Sequence, residues 1–283
     1  MLRSIFVTGF ACAAGLCAQT EQTIRRSIPA PSTTRLVLNA GNGGSIDATP
    51  GPAGTILIEV RFKSDHAPRA ELDRIVRDFS LDVDRVGTEI HVTGRSKRGD
   101  PNWSFWSFLF NGFGAPDIEY KVELPVQSSA NLRTSGGSIS VAGLGGDVEA
   151  RTSGGSLHLV RIAGAVDGST SGGNVSLEDT RGRAILRTSG GSIDVDGTLN
   201  ALDATTSGGN IRIGLAPGKG FDVDARTSGG SVSCDFPVPG YGEHRESELR
   251  GSVAGGGPLL HLRTSGGNIH VGRVGSTRAA LAN

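Results

Sequence analysis

Cysteine, methionine, aromatic residues and net charge are all scarce in this chain of 283 residues. Of three cysteines, Cys12 and Cys17 lie in an apolar leader, which leaves Cys234 alone. A disulfide framework in the rest of the chain is therefore excluded. Lysine plus arginine equals aspartate plus glutamate, 28 against 28, so the formal net charge is zero. That balance offers no basic footprint for nucleic acid and little pull toward an anionic membrane. Beyond the leader, no apolar stretch reaches the roughly 20 residues that span a bilayer, so no transmembrane segment is expected once it is removed. The six histidines show no ligand spacing such as H-E-x-x-H, and neither a P-loop nor G-x-S-x-G occurs. No cofactor or metal is expected.

What is present starts with the leader. Residues 1–18 read as a secretory signal: Arg3 gives the positive start, residues 5–17 are apolar, and Ala18 precedes Gln19 as a cleavage point. The expected location is exported: periplasm, outer surface or extracellular. Residues 19–34 read as a linker, 35–130 as a β-rich region with one short helix at 70–79, 131–275 as a repeat, and 276–283 as a tail.

Glycine is abundant, 44 of 283 residues, and its placement is ordered. The tetrapeptide T-S-G-G begins at Thr134, Thr152, Thr170, Thr188, Thr206, Thr227 and Thr264, at spacings of 18, 18, 18, 18, 21 and 37. Five residues after each threonine stands Ile139, Leu157, Val175, Ile193, Ile211, Val232 or Ile269. Seven after stands Val141, Leu159, Leu177, Val195, Ile213, Cys234 or Val271, with mostly polar residues between. Period-two alternation predicts a strand with one buried face. A second strand precedes each threonine, with Leu132, Leu186 and Leu262 pointing inward two residues before it. The paired glycines predict a corner with positive φ, and Gly146, Gly164, Gly182, Asn200 and Gly218 predict a second corner. The expected fold is all-β, a single-stranded β-solenoid of 18-residue turns. Residues 42–46, Asn-Gly-Gly-Ser-Ile, are a diverged copy, and 235–258 reads as a long bulge.

Residues 118–125 (I-E-Y-K-V-E-L-P), Leu132 and T-S-G-G-S-I at 134–139 together resemble the bacterial "putative adhesin" domain family. Leu249, Gly251, Gly255-Gly256-Gly257 and L-R-T-S-G-G-N-I at 262–269 extend the likeness, which covers roughly residues 35–275. The resemblance implies a β-solenoid and an envelope setting, and brings no catalytic residues.

Five arginines precede the threonines: Arg133, Arg151, Arg187, Arg226 and Arg263. They form an outward column, with Glu149, Asp167, Asp203 and Asp224 two residues before a threonine-flanking position on the same face. One reading is a self-neutralised solvated stripe; the other is a track for an anionic glycan or phosphate, which guanidinium binds bidentately. The threonines themselves point inward by parity, which suits an internal hydroxyl ladder rather than an ice-binding face. Trp103, Phe105, Trp106, Phe108, Phe110 and Phe113 crowd one loop, either as a cap on the fold or as a patch for glycan stacking, a partner or membrane contact. Glu178 and Asp196 fall one repeat apart, the spacing of paired carboxylates in a glycosidase. The expected function is a non-enzymatic envelope or surface protein, an adhesin or scaffold, whose partner is an envelope glycan or surface protein. The alternative is a polysaccharide-active β-helix enzyme, a glycoside hydrolase or lyase.

Overall fold

The computed structural model describes residues 20–41, 43–64, 69–96, 116–216, 218–238 and 246–274. The leader, the aromatic loop with all six of its named residues, and the tail lie outside the described residues. Strand β1 (Thr20–Pro29) is followed by β2 (Arg35–Asn39), β3 (Ser45–Pro50) and β4 (Thr55–Ser64), then helix α1 (Arg69–Asp78), β5 (Phe79–Val86), β6 (Glu89–Ser96) and β7 (Asp117–Leu124). Each repeat then supplies two strands. These are β8 (Ser129–Arg133) and β9 (Ile139–Ala142), β10 (Val148–Arg151) and β11 (Leu157–Val160), β12 (Val166–Ser169) and β13 (Val175–Thr180). Next come β14 (Arg183–Arg187) and β15 (Ile193–Gly197), β16 (Ala201–Thr205) and β17 (Ile211–Leu215), β18 (Phe221–Thr227) and β19 (Val232–Cys234). Finally, β20 (Glu248–Val253) precedes β21 (Leu259–Thr264) and β22 (Ile269–Arg273).

The pairing overturns the single-stranded β-solenoid. The strands form two 11-stranded mixed sheets, β1-β4-β7-β3-β9-β11-β13-β15-β17-β22-β19 and β20-β18-β21-β16-β14-β12-β10-β8-β2-β6-β5. Repeat strands pair in parallel, Leu157 opposite Ile139 and Val175 for example. Antiparallel pairs β1–β4, β4–β7 and β5–β6 close one end, and β18–β20 the other. The 18-residue period reports how often a strand recurs and which side chains turn inward; it does not report which strands bond. Residues 20–29, expected within a linker, form β1, paired over its whole length with β4. Part of the expected bulge at 235–258 is likewise strand β20.

One continuous core lies between the sheets. The inward residues of the first sheet, Ile139 to Val271 of the repeat, are fully buried except on the terminal strand β19, where Val232 and Cys234 are half-buried. The second sheet opposes them with a column of uneven size: Leu132, Ala150, Gly168, Leu186, Ala204, Leu262 and Ala225. Leu157 and Leu159 fill the space at Gly168. Helix α1 packs Leu72 and Ile75 against the β1–β4 end.

The glycine corner works differently from the sequence expectation. None of the T-S-G-G glycines has positive φ. The second glycine of each pair is needed because its α-carbon lies against the neighbouring layer. A Cβ at Gly173 would sit 2.1 Å from the Gly155 carbonyl oxygen, and one at Gly191 would sit 2.0 Å from that of Gly173. Left-handed backbone falls instead nine residues after the threonine, at Gly143, Arg161 and Asp179, with φ of 72°, 53° and 51°. Glycine is absent from two of those three places, which hid the turn.

Each threonine locks the corner, as its parity implied. Thr152, Thr170, Thr188 and Thr206 are buried and donate their hydroxyls to the carbonyls of Gly137, Gly155, Gly173 and Gly191 at 2.7–2.9 Å. Each also accepts from the N–H of its own second glycine, Gly173 to Thr170 at 3.4 Å for instance. The ladder starts at Gly44, which accepts from Thr134 at 2.8 Å, and Ile46 stands opposite Ile139.

At the C-terminal end the layers leave sequence order. Thr264 donates to Gly209, and Thr227 donates to Gly267. The Thr264 layer is therefore inserted between the Thr206 and Thr227 layers. The 21-residue spacing follows: the connection from β17 to β18 must climb past an extra layer, two strand spacings or about 9.6 Å.

Candidate functional site

The second sheet presents a column of seven side chains on its outer face. In spatial order they are Arg133, Arg151, Ser169, Arg187, Thr205, Arg263 and Arg226. Strand spacing makes the column about 29 Å long. A second column runs beside it: Asn131, Glu149, Asp167, Ile185, Asp203, His261 and Asp224. The structure thus brings all five predicted arginines into one line, on strands β8, β10, β14, β21 and β18.

The two columns neutralise each other unevenly. Arg133 donates to Glu149 at 3.0 Å, Arg151 pairs with both Glu149 and Asp167, and Arg35 approaches Glu149 at 3.7 Å. At the other end Arg263 donates to Asp224 at 2.8 Å, and Arg226 pairs with Glu248 at 2.8 Å. Burial alone would raise the Asp224 pKa, but hydrogen bonds from Arg263 and Arg250 outweigh it and hold the carboxyl below its ordinary value. The middle is looser. Arg187 lies between Ser169 and Thr205 and reaches Asp203 only at 3.9 Å. Beside the columns, a depression of about 230 Å³ is lined by Arg35, Asp147, Glu149, Asp167 and Arg183 among others.

Sequence reasoning missed Arg35, Glu248, Arg250 and His261 as members of this surface. Glu248 and Arg250 arrive on β20, whose antiparallel pairing with β18 sets Arg250 opposite Asp224. The alternation of Glu248, Arg250 and Ser252 with buried Leu249 and Val253 was the available signal.

On the first sheet, Glu178 and Asp196 are direct neighbours in the β13–β15 register. They stand on an outer strand face and each engages other groups of the protein. Farther along, Ser233 and His270 Nδ1 are 2.9 Å apart, and His270 Nε2 lies 3.5 Å from Asp235. This row has the composition of a nucleophilic triad. Its imidazole and carboxylate are open to water, at 36% and 46% exposure, and a triad needs a sheltered oxyanion site beside it. Burial pushes the Cys234 thiol pKa up, opposed by the Phe236 N–H and reinforced by Asp235. No group of three or more metal-ligating side chains occurs among the described residues, and no helix there is long and apolar enough to cross a membrane.

No protein-family model matches the chain, and no curated protein matches it. Among solved structures, a "putative adhesin" from Bacteroides fragilis is 16% identical with a TM-score of 0.48, covering 88% of this chain and 96% of that one. A "putative cell adhesion protein" from Clostridium sporogenes is 10% identical with a TM-score of 0.38, covering 90% and 100%. A "putative lipid binding protein" from Parabacteroides distasonis is 12% identical with a TM-score of 0.39, covering 89% and 96%.

Proposed function

We propose that the protein is a non-enzymatic, exported surface or envelope protein that binds an envelope glycan carrying anionic groups along the outer face of the second sheet. The arginine column supports this reading, because it offers five guanidinium groups along one face at intervals of one or two strand spacings. A repeating ligand is met by a repeating surface, and bidentate guanidinium contacts suit carboxylate, phosphate or sulfate substituents. The acidic column keeps the unliganded stripe from repelling itself. Arg187, with the weakest internal pairing, is the first contact. The loop with Trp103, Phe105, Trp106, Phe108, Phe110 and Phe113 supplies aromatic faces for sugar rings.

The test is binding of the exported chain to a panel of anionic and neutral polysaccharides. The parent is compared with a variant in which Arg133, Arg151, Arg187, Arg226 and Arg263 are all serine, and with one lacking residues 103–113. Selective loss of anionic polymer binding in the arginine variant, with its β-sheet signal intact, is expected. Binding equal to the parent sinks the reading.

A further inference from the structure

The unit that comes last in the sequence is an internal layer of the fold. β21 bonds to β16 on one side and β18 on the other, and β22 bonds to β17 and β19. Layers laid down in chain order need only the layer before them. This one must enter between two layers that both precede it.

The contacts that hold it are main-chain and corner contacts. Thr264 donates to the Gly209 carbonyl at 2.9 Å, Gly266 N–H to the Ser207 carbonyl at 2.9 Å, and Asn268 N–H to Asn210 Oδ1 at 2.8 Å. On the other side Thr227 donates to Gly267 at 2.7 Å, and Ser231 N–H donates to Asn268 Oδ1 at 2.9 Å. Every one depends on a T-S-G-G-N-I segment in register, and none depends on which chain supplies it. The outer flank of the slot is thin: β19 is three residues long and half-buried, and β20 is the edge strand of its sheet.

We propose that the slot between the Thr206 and Thr227 layers is a docking site for the C-terminal unit of a second copy of this chain, residues 259–273. The protein then forms strand-exchanged dimers. Exchange swaps each bond between the layers for its interchain twin and opens only the 254–258 turn, with its Gly256 N–H to Val253 carbonyl bond of 3.1 Å, so concentration selects the form. Departure of the inserted layer leaves a binding surface on both sides, β16 and β17 on one and β18 and β19 on the other.

The experiment uses two differently tagged chains, both carrying Cys12→Ser and Cys17→Ser. One also carries Cys234→Ser and Val271→Cys; the other keeps Cys234. Positions 234 and 271 are in-register partners on β19 and β22, and neighbouring strands fall within the Cα separations that disulfides bridge, about 4.4–6.8 Å. Neither chain can form that disulfide alone. The chains are unfolded, mixed, refolded at high concentration and oxidised. A disulfide joining the two different chains is expected, with a dimer mass by light scattering. A control with Leu262→Cys in place of Val271→Cys, on the opposite sheet, gives no such product. Folded monomers without the mixed disulfide at any concentration overturn the proposal. If the Val271→Cys chain does not fold, the unsubstituted chain decides. A dimer that forms on concentrated refolding and survives dilution supports exchange, and monomer at every concentration overturns it.

Discussion

Alanine at the two glycines of a single corner tests the close-approach account. At Gly172 a Cβ would meet its nearest neighbour, the Gly154 carbonyl oxygen, at 3.5 Å, an ordinary contact. At Gly173 it would lie 2.1 Å from the Gly155 carbonyl oxygen and 2.4 Å from its carbon. Both atoms are backbone, so the layers must part by roughly 1 Å at that point, in an interior too closely packed to absorb the shift. The parting strains the Thr170 hydroxyl bond to Gly155 (2.7 Å), the Gly173 N–H bond to Thr170 (3.4 Å) and the Asn174 N–H bond to Ser156 (3.1 Å). Buried groups left unpaired cost about 1–3 kcal/mol each. Gly173→Ala is therefore expected to lose roughly 3–5 kcal/mol, in the upper tail of single substitutions. At about 2–4 °C per kcal/mol for a chain of this size, its melting midpoint falls on the order of 10 °C. Gly172→Ala stays within about 1 kcal/mol of the parent. Thermal unfolding followed by far-ultraviolet circular dichroism compares the two. Equal midpoints, or Gly172→Ala as the weaker variant, refute the reasoning.

The threonine ladder makes its own prediction. Thr170→Val leaves the Gly155 carbonyl without its hydroxyl donor and lowers stability by about 1–3 kcal/mol, whereas Thr170→Ser keeps the donor and loses less; urea midpoints for the pair give the order. Asp224 has a lowered folded-state pKa, so its stabilising contribution is complete above its ordinary value of 3.8 and is lost as pH falls below it. Acid titration of the melting midpoint should show a shallower fall in Asp224→Asn than in the parent over that limb. Cys234, with its thiol pKa raised chiefly by burial, should react slowly with iodoacetamide at neutral pH in the folded protein and rapidly in denaturant; equal rates contradict its inward, half-buried placement on the terminal strand.

Much of the fold is legible in side-chain parity. The inward places of Ile139, Leu177 and Val271, the inward turn of the threonines and the pairing of Arg133 and Arg263 with carboxylates all follow from alternation. Three things did not follow. The period of 18 carries no information about bonding partners, so two mixed sheets and a single-stranded winding predict the same spacing. The need for Gly173 is created by the Gly155 carbonyl, which one copy of the motif does not contain. The left-handed turn is occupied by Gly143 in one unit but by Arg161 and Asp179 in the next two. For the layer order a signal was present: the spacing of 21 before Thr227 is the extra length that a skipped layer demands. The arginine face was legible as a column, but its loose centre at Arg187 depends on Ser169 and Thr205 standing beside it in space.

The corner between layers also bears on how a protein of this kind can change length over generations. Because Thr170 and Gly173 meet Gly155 in the same way that Thr188 and Gly191 meet Gly173, removal of 18 residues anywhere between Thr152 and Thr206 rejoins two compatible surfaces. A loss of 17 or 19 would turn every following strand inside out. The antiparallel strands at both ends are untouched by such an event, since each contacts only the layers nearest it. Gene slippage in whole units therefore yields a longer or shorter arginine face on the same two ends.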